Sequence, residues 1–222
     1  MRLLQNIFSR SPLIPRAAPF ILFVLLTAFQ GRFGAASAYW FYFAKTIVGA
    51  WLIWEMRPFV SEMRWAISWE AIAIGVLIFA IWVGLDTYYP KFSKPGMAWN
   101  PNLLFGEHSA LAWLFIVTRI LGSTFIVPPL EEVFYRSFLY RYLASQNFLS
   151  VPLNKFLPLP FFVTAGIFGF SHYQWLAGIL CGAAYQWLVL RKNRLGDAMT
   201  AHAITNFLLG VWVVWHGAWN FW

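Results

Sequence analysis

Six polar side chains with catalytic potential stand inside otherwise apolar stretches of this 222-residue sequence. They are two carboxylates, a guanidinium, two imidazoles and an amide, in chain order Glu131, Glu132, Arg136, His172, His202 and Asn206. Carboxylates and imidazoles act as general bases in enzymes, and imidazole and amide N–H groups stabilise a negatively charged oxygen. Together, such groups would suit hydrolysis by an activated water molecule.

The first group lies in residues 127–136, where two prolines precede two adjacent glutamates. Glu132 and Arg136 are four residues apart, so on a helix they share a face and neutralise each other. Glu131 points about 100° away from Glu132 and has no counter-ion nearby in the sequence. A free carboxylate in an apolar setting suits a general base. The alternative is a structural Glu–Arg pair with the second glutamate at the membrane surface.

The other two groups follow further along the chain. His172 comes one helical turn after Phe168, at the end of an apolar run. An isolated histidine in such a run is either a hydrogen-bonded structural residue or part of a site. His202 and Asn206 are four residues apart and share a helical face, so both can donate to one oxyanion.

The composition indicates an integral membrane protein. Apolar residues make up 60% of the chain, charged residues 11%, and the mean hydropathy is +0.62, whereas a soluble domain carries about 25% charged residues. The net charge of +8 is spread over basic residues between the apolar runs, where they set topology and meet lipid headgroups. We therefore expect a lipid bilayer as a partner and no nucleic acid. The single cysteine, Cys181, excludes an intrachain disulfide and a cysteine metal cluster.

Six apolar runs predict an all-α polytopic membrane helical bundle. A helix needs about 20 residues to cross about 30 Å of hydrocarbon. The runs are residues 17–31, 34–54, 65–85, 109–143, 156–190 and 198–215. The fifth would be about 52 Å long as one helix, so we divide it near residues 172–175. This gives about seven transmembrane helices, with six or eight as alternatives, in a single domain spanning residues 1–222.

Basic residues between the runs predict the orientation in the membrane. Alternation of the helices places ten lysines and arginines on the side of the N-terminus and three on the other, namely Arg32, Lys91 and Lys94. We therefore expect a cytoplasmic N-terminus, an external loop at residues 86–108 and a first helix that is retained. We expect the protein in a bacterial inner membrane. Within the runs, Lys45 and Arg119 have no partner at helical spacing.

The three polar groups are predicted to lie at similar depth. Counted from the nearest cytoplasmic residues at the helical rise, Glu131 lies about 15 Å deep, His202 about 12 Å and His172 about 18 Å. A chain turn just after His172 would then lie within the bilayer, where the backbone must be satisfied by protein or by a water-filled cavity. The groups can therefore meet.

The order E-E-x-x-x-R, F-x-x-x-H, H-x-x-x-N on successive membrane helices resembles the CPBP family of CAAX proteases and bacteriocin-processing enzymes, which includes the Ras-converting CAAX endopeptidase. The matching residues are Glu131, Glu132, Arg136, Phe168, His172, His202 and Asn206. The resemblance covers a predicted catalytic core at residues 109–215, and residues 1–108 contain no matching motif. Residues 195–210 are also similar to the CAAX-protease-related proteins associated with bacterial exosortase systems.

This resemblance implies a glutamate-dependent intramembrane endopeptidase with no cofactor and no metal. It implies that Glu131 and His172 hold and activate a water molecule, and that His202 and Asn206 stabilise the oxyanion. The supporting residues would be Glu132, Arg136 and Phe168. The substrate would be a membrane-associated peptide or protein of CAAX-like or sorting-signal type.

Three alternatives remain at this point. Glu131, His172 and His202 could bind zinc together with a water molecule, although the sequence has no H-E-x-x-H motif. The polar cluster could bind a peptide or a prenyl tail without cutting it, as a membrane scaffold. It could also relay protons in an ion-coupled carrier. The paired donors His202 and Asn206 favour the enzyme, because a binding protein needs no oxyanion site.

Overall fold

The computed structural model describes residues 2–92 and 98–222, and this part of the chain contains helices and no strand. The helices are α1 (Arg2–Phe8), α2 (Ile14–Thr27), α3 (Ser37–Met56), α4 (Trp69–Gly84), α5 (Pro101–Phe105), α6 (Ala110–Tyr142), α7 (Pro158–Phe170), α8 (Trp175–Lys192) and α9 (Gly196–His216). Single 3-10 turns lie at Arg57–Phe59, Phe148–Ser150 and Trp219–Phe221. The predicted all-α class is confirmed, and Lys94 lies outside the described residues.

Local side-chain chemistry sets several helix ends. The hydroxyl oxygens of Ser68 and Ser109 accept hydrogen bonds from the amides three residues later and cap the starts of α4 and α6. At the other end, Asn193 and Gly217 adopt left-handed backbone conformations, with φ of 51° and 63°. Because this conformation cannot continue an α-helix, it ends α8 and α9.

The outer surface of the bundle is apolar. Helix α6, with 33 residues, and α9, with 21, are long and apolar enough to cross a membrane by length and composition. Helices α2, α4 and α7 are apolar but shorter. Trp69 is 83% exposed and Trp215 is 82% exposed, and surfaces of this kind suit lipid better than water. The fold is consistent with a membrane helical bundle, and the count of seven crossings stays a prediction.

Helix α6 contains two π-helical segments within its α-helical turns. It is π-helical at Gly122–Ile126 and at Val133–Leu139, with the α-helical turn Val127–Glu132 between them. Pro128 and Pro129 start this turn. A proline donates no backbone hydrogen bond and its ring crowds the carbonyl four residues earlier, so a widened turn before the prolines relieves the strain. The two glutamates therefore end a short turn framed by two π segments.

Helices α7 and α8 form a tight antiparallel hairpin. Helix α7 ends at Phe170 and α8 begins at Trp175, so the predicted break near residues 172–175 is confirmed. A Cβ atom added at Gly178 would lie only 2.8 Å from the Cα of Gly169, which shows that the two backbones touch. This close packing holds the turn that carries His172.

The loop between α3 and α4 is fixed to the end of α6 by a cluster of ions. Both guanidinium nitrogens Nε and Nη2 of Arg16 donate to Glu62 at 2.8 Å, and Arg141 Nη2 donates to Glu62 at 3.0 Å. The hydroxyl of Ser137 also donates to Glu62. Burial raises the pKa of Glu62, but hydrogen bonds from Arg16 and Ser137 and the Arg16 charge outweigh it and lower the pKa to about 2.

The largest apolar core cluster surrounds the predicted polar groups. It brings together Leu130 and Val133 of α6, Phe168 of α7, Tyr185 of α8 and Met199 of α9, all of them buried. Polar atoms inside such a core are costly unless they have partners or a function. The core therefore gives the six polar side chains a shared and largely dry environment.

Candidate active site

One imidazole joins the two adjacent glutamates. His202 Nδ1 lies 2.9 Å from Glu132 Oε1, and His202 Nε2 lies 4.0 Å from Glu131 Oε2. The two carboxylates leave α6 in different directions, as expected for consecutive helical residues, and the ring of His202 on α9 meets both of them. Because Glu132 takes the Nδ1 side, Nε2 is left facing Glu131.

Arg136 lies behind the two glutamates and is completely buried. Its Nε atom is 3.3 Å from Glu132 Oε2, four residues earlier on the helix, and both side chains are 0% exposed. The pair has ion-pair distance, but neither Glu132 Oε2 nor the three guanidinium nitrogens of Arg136 have a hydrogen-bond partner of good geometry among the described residues. The guanidinium instead stacks 4.8 Å from the ring centre of Phe168.

Phe168 contacts both histidines as well as Arg136. Its ring centre lies 4.8 Å from that of His172 and 6.1 Å from that of His202. His172 Nδ1 lies 2.7 Å from the Phe168 carbonyl oxygen, which as an acceptor requires the proton on Nδ1. The Nε2 atom of the neutral His172 ring is then an acceptor. The indole of Trp82 on α4 packs edge-on against this ring at 5.5 Å.

Asn206 is tied to the first π segment of α6. Its amide nitrogen Nδ2 donates to the Ser123 carbonyl oxygen at 2.8 Å. Carbonyls in a π segment are displaced from the regular α-helical ladder, and the side chain of Asn206 satisfies this one. An amide group has two N–H donors, so one donor holds Asn206 in position and the second is left for another acceptor.

Two residues that the sequence analysis did not select support His202. The ring of Tyr185 lies 5.2 Å from the His202 ring, and its hydroxyl donates to Thr205 Oγ1 at 2.7 Å. Thr205 in turn donates to the Gly75 carbonyl oxygen at 2.8 Å. This chain of hydrogen bonds joins α8, α9 and α4 around the imidazole. No local spacing signal points to it, because the partners come from three helices.

A cavity of about 530 Å³ opens onto these groups. Glu131, His172, His202 and Asn206 all line it, whereas Glu132 and Arg136 lie behind its wall. All seven helices of at least 13 residues contribute to its lining. The residues proposed to touch the substrate are therefore separated in space from two of those proposed to support them, Glu132 and Arg136.

Lys45 and Arg119 also line the cavity. For neither of them did the sequence show a partner at helical spacing. Lys45 Nζ donates to Thr27 Oγ1 at 3.0 Å and lies 4.6 Å from the ring centre of Phe23. The guanidinium of Arg119 stacks 4.5 Å from the ring centre of Trp99. The sequence did not predict these contacts, since aromatic partners carry no charge pattern.

Metal ligation finds no support in the arrangement of the donors. No group of three or more histidine, cysteine, aspartate or glutamate side chains is placed to hold a metal ion within residues 2–92 and 98–222. Glu131 Oε2 and His202 Nε2 lie 4.0 Å apart, whereas two ligand atoms of one tetrahedral zinc ion lie about 3.4 Å apart. A zinc site made of Glu131, His172 and His202 would need these side chains to move.

Comparison with models of protein families identifies a match to part of the chain. Residues 112–208 match the family model described as type II CAAX prenyl endopeptidase Rce1-like. This confirms the family resemblance that the three motifs predicted. The matched segment contains every residue from Glu131 to Asn206 that was proposed for the site, and it excludes Lys45. No curated protein and no solved structure matches the chain.

Proposed function

We propose that this chain, which carries an Rce1-like CAAX endopeptidase segment at residues 112–208, is an intramembrane endopeptidase. It hydrolyses a peptide bond of a membrane-associated peptide or protein, of CAAX-like or sorting-signal type. Its N-terminus faces the cytoplasm of a bacterial cell. Activity of this class is what the family match suggests, and the mechanism below is our proposal.

One observation carries this proposal. Glu131 and the Nε2 side of His202 face each other across 4.0 Å and line the same cavity as His172 and Asn206. Glu131 Oε2 has no hydrogen-bond partner among the described residues. A buried and unpartnered carboxylate oxygen beside a cavity is costly, and it gains its partner when a water molecule or a substrate enters. This is the arrangement that a general base requires.

In the proposed reaction, water binds between Glu131 and Nε2 of His172. Glu131 takes a proton from the water, and the water oxygen attacks the carbonyl carbon of the scissile bond. His172 orients the water, because its Nδ1 proton is engaged with the Phe168 carbonyl and its Nε2 accepts. The proton held by Glu131 then passes to the leaving amine as the carbon–nitrogen bond breaks.

The oxyanion of the tetrahedral intermediate is stabilised by the third motif. In its doubly protonated form, His202 donates Nδ1–H to Glu132 and Nε2–H to the cavity. The second amide N–H of Asn206, which is not used by Ser123, supplies the other donor. Glu132 holds the imidazole through Nδ1 and is itself paired with Arg136, and Phe168 contacts the guanidinium and both histidine rings.

The function is tested by mass spectrometry of membrane proteins incubated with the purified protein. The native protein and a Glu131→Ala variant are compared in liposomes on the same substrates. We expect new peptide termini with the native protein and none with the variant. Binding of a peptide without any new terminus would instead favour the scaffold or peptide-binding alternative.

The proposed reaction needs no metal. We therefore expect activity to persist after prolonged treatment with a high-affinity chelator and the purified protein to contain no stoichiometric zinc. Elemental analysis together with the cleavage assay makes this measurement. About one zinc per chain, with activity that returns only when zinc is restored, would assign the protein to the metalloproteases instead.

A further inference from the structure

The proposed mechanism leaves two cations of the cavity without a role. Lys45 comes from α3 and Arg119 from α6, and both line the cavity that Glu131 lines. A cation at membrane depth is costly unless it has an anionic partner or reaches water. Their contacts therefore need an explanation beyond packing.

No acidic side chain of the described residues lies within ion-pair distance of either cation. The ion pairs of these residues involve Glu62, Glu70, Asp86, Glu107, Glu131, Glu132 and Asp197, and none of them reaches Lys45 or Arg119. Arg119 remains charged at all accessible pH values. A permanent cation without an acidic partner in a cavity is a strong attractor for an anion.

The two side chains also lie beside the same aromatic ring. Lys45 Nζ is 4.8 Å from the ring centre of Tyr42, and the guanidinium of Arg119 is 5.0 Å from the same ring centre. Two like charges beside one ring repel each other, and an anion bound between them would offset this repulsion. The aromatic rings offset part of it. They leave the guanidinium N–H donors of Arg119 without a hydrogen-bond partner among the described side chains and backbone carbonyls.

We infer that Lys45 and Arg119 form an anion subsite in the catalytic cavity and that this subsite binds a carboxylate of the substrate peptide. The inference rests on the proposed function, since it assumes that the cavity takes a peptide. A planar guanidinium and a nearby ammonium fit a carboxylate through charge-assisted hydrogen bonds. The rings of Phe23 and Trp99 lie 4.6 Å from Lys45 Nζ and 4.5 Å from the Arg119 guanidinium and border the subsite.

The carboxylate has two possible sources on a peptide, its C-terminus and an acidic side chain. Both present the same planar anion to Arg119. In either case the subsite fixes one carboxylate of the substrate relative to Glu131 and so selects which peptide bond meets the water. The subsite thereby sets the position of cleavage.

Binding is measured on Glu131→Gln protein in uncharged detergent, so that no probe is consumed. The probes are N-dodecanoyl-Leu-Leu as the free acid, the same compound as its amide, N-dodecanoyl-Leu-Asp amide, and short-chain phosphatidylglycerol. The cavity variants are Arg119→Met, Arg119→Lys and Lys45→Met in the same background. The matched control is Arg32→Met, since the Arg32 side chain is exposed, donates to the Ala28 carbonyl and does not line the cavity.

We expect the free acid to bind at least about tenfold more tightly than the amide, as a charge-assisted hydrogen bond would give. Arg119→Met and Lys45→Met should reduce this preference, Arg119→Lys should retain part of it, and Arg32→Met should leave it unchanged. Tight binding of the Leu-Asp amide would identify a side-chain carboxylate as an accepted ligand, and weak binding would identify the C-terminus. Both results support the subsite.

Equal binding of acid and amide to the background protein would overturn the inference, and this comparison does not depend on the folding of any cavity variant. A preference that survives both Arg119→Met and Lys45→Met would also overturn it. Tighter binding of phosphatidylglycerol than of the free acid would reassign the cations to lipid. Failure of the proposed function would appear separately, as absence of cleavage by the native protein on every substrate.

Discussion

Two clusters of acidic and basic side chains include residues of helix α6, and they differ in how completely their hydrogen bonds are made. In the cluster at the end of this helix, Glu62 accepts from Arg16, Ser137 and Arg141, and both of its oxygens are used. In the cluster at the cavity, Glu131 Oε2, Glu132 Oε2 and all three guanidinium nitrogens of Arg136 have no hydrogen-bond partner among the described residues.

The difference separates a structural cluster from a reactive one. Each buried polar group without a partner costs about 1–3 kcal/mol, so a stable fold keeps few of them. The cluster around Glu62 is satisfied and joins three segments of the chain. In the cluster around Glu131, only Glu131 lines the cavity, so its free oxygen Oε2 is the one that an incoming molecule can partner, whereas the unsatisfied atoms of Glu132 and Arg136 stay behind the wall. The same residue types therefore serve stability at one place and chemistry at the other.

The largest expected effect is on turnover. Glu131→Gln should lower the cleavage rate by about 10²- to 10⁴-fold, the range of a lost general base. Its thermal midpoint should stay close to that of the native protein, because Glu131 Oε2 makes no hydrogen bond. Glu62→Gln is the matched control and should reverse the pattern, with lower stability and retained chemistry. Full activity of Glu131→Gln would remove the base from the mechanism.

The next effect is on stability within the reactive cluster itself. Glu132→Gln removes the charge beside the fully buried Arg136 and the carboxylate that holds His202. Breaking a buried ion pair on one side costs about 3–5 kcal/mol. We expect a lower midpoint in thermal unfolding in detergent, in contrast to Glu131→Gln one residue earlier. An unchanged midpoint would show that the charge of Arg136 is balanced in another way.

A third change separates binding from chemistry. Asn206→Ala should lower turnover at saturating substrate by about 10²- to 10³-fold, because the oxyanion exists only after water attacks. Substrate affinity should change much less. Parallel measurement of cleavage and peptide affinity in liposomes gives the two values, once folding has been verified. Loss of affinity in proportion to activity would make Asn206 a substrate-positioning residue.

The smallest effect concerns the cluster around Glu62 and the way its contribution to stability depends on pH. The folded-state pKa of Glu62 is about 2, below its ordinary value of 4.5, so its contribution is present above pH 4.5 and is lost as the pH falls towards 2. The difference corresponds to about 3 kcal/mol. Unfolding midpoints measured between pH 6 and pH 3 should fall for the native protein and less for Glu62→Gln. Parallel pH curves for the two proteins would contradict this account.

Much of the fold followed from apolar runs and helical spacing. The break between α7 and α8 and the pairing of Glu132 with Arg136 were visible in the sequence, because both depend on residues within a few turns of each other. The π segments of α6 were not predicted. Adjacent prolines indicate a disturbed helix, but whether the helix kinks or widens depends on what packs against it.

Several contacts of the site could not be predicted from the sequence, because they join residues that are far apart in the chain. Glu132 and His202 are 70 residues apart and Asn206 and Ser123 are 83 apart, and no spacing rule connects such pairs. Lys45 and Arg119 gave no signal of a shared location, since their partners are neutral rings. Residue type and spacing predicted which groups belong together, and packing of the helices determined which atoms face each other.

The π segments of α6 change the direction in which the side chains after each segment point, relative to those before it. Each π turn holds one residue more than the α-helical ladder allows for, and one residue corresponds to about 100° of rotation. Removal of a single residue from Gly122–Ile126 would therefore turn either the half of α6 before this segment or the half after it. Arg119 stands before the segment and Glu131 after it. Which side of the cavity each of these residues faces thus depends on the number of residues between them as much as on their identity.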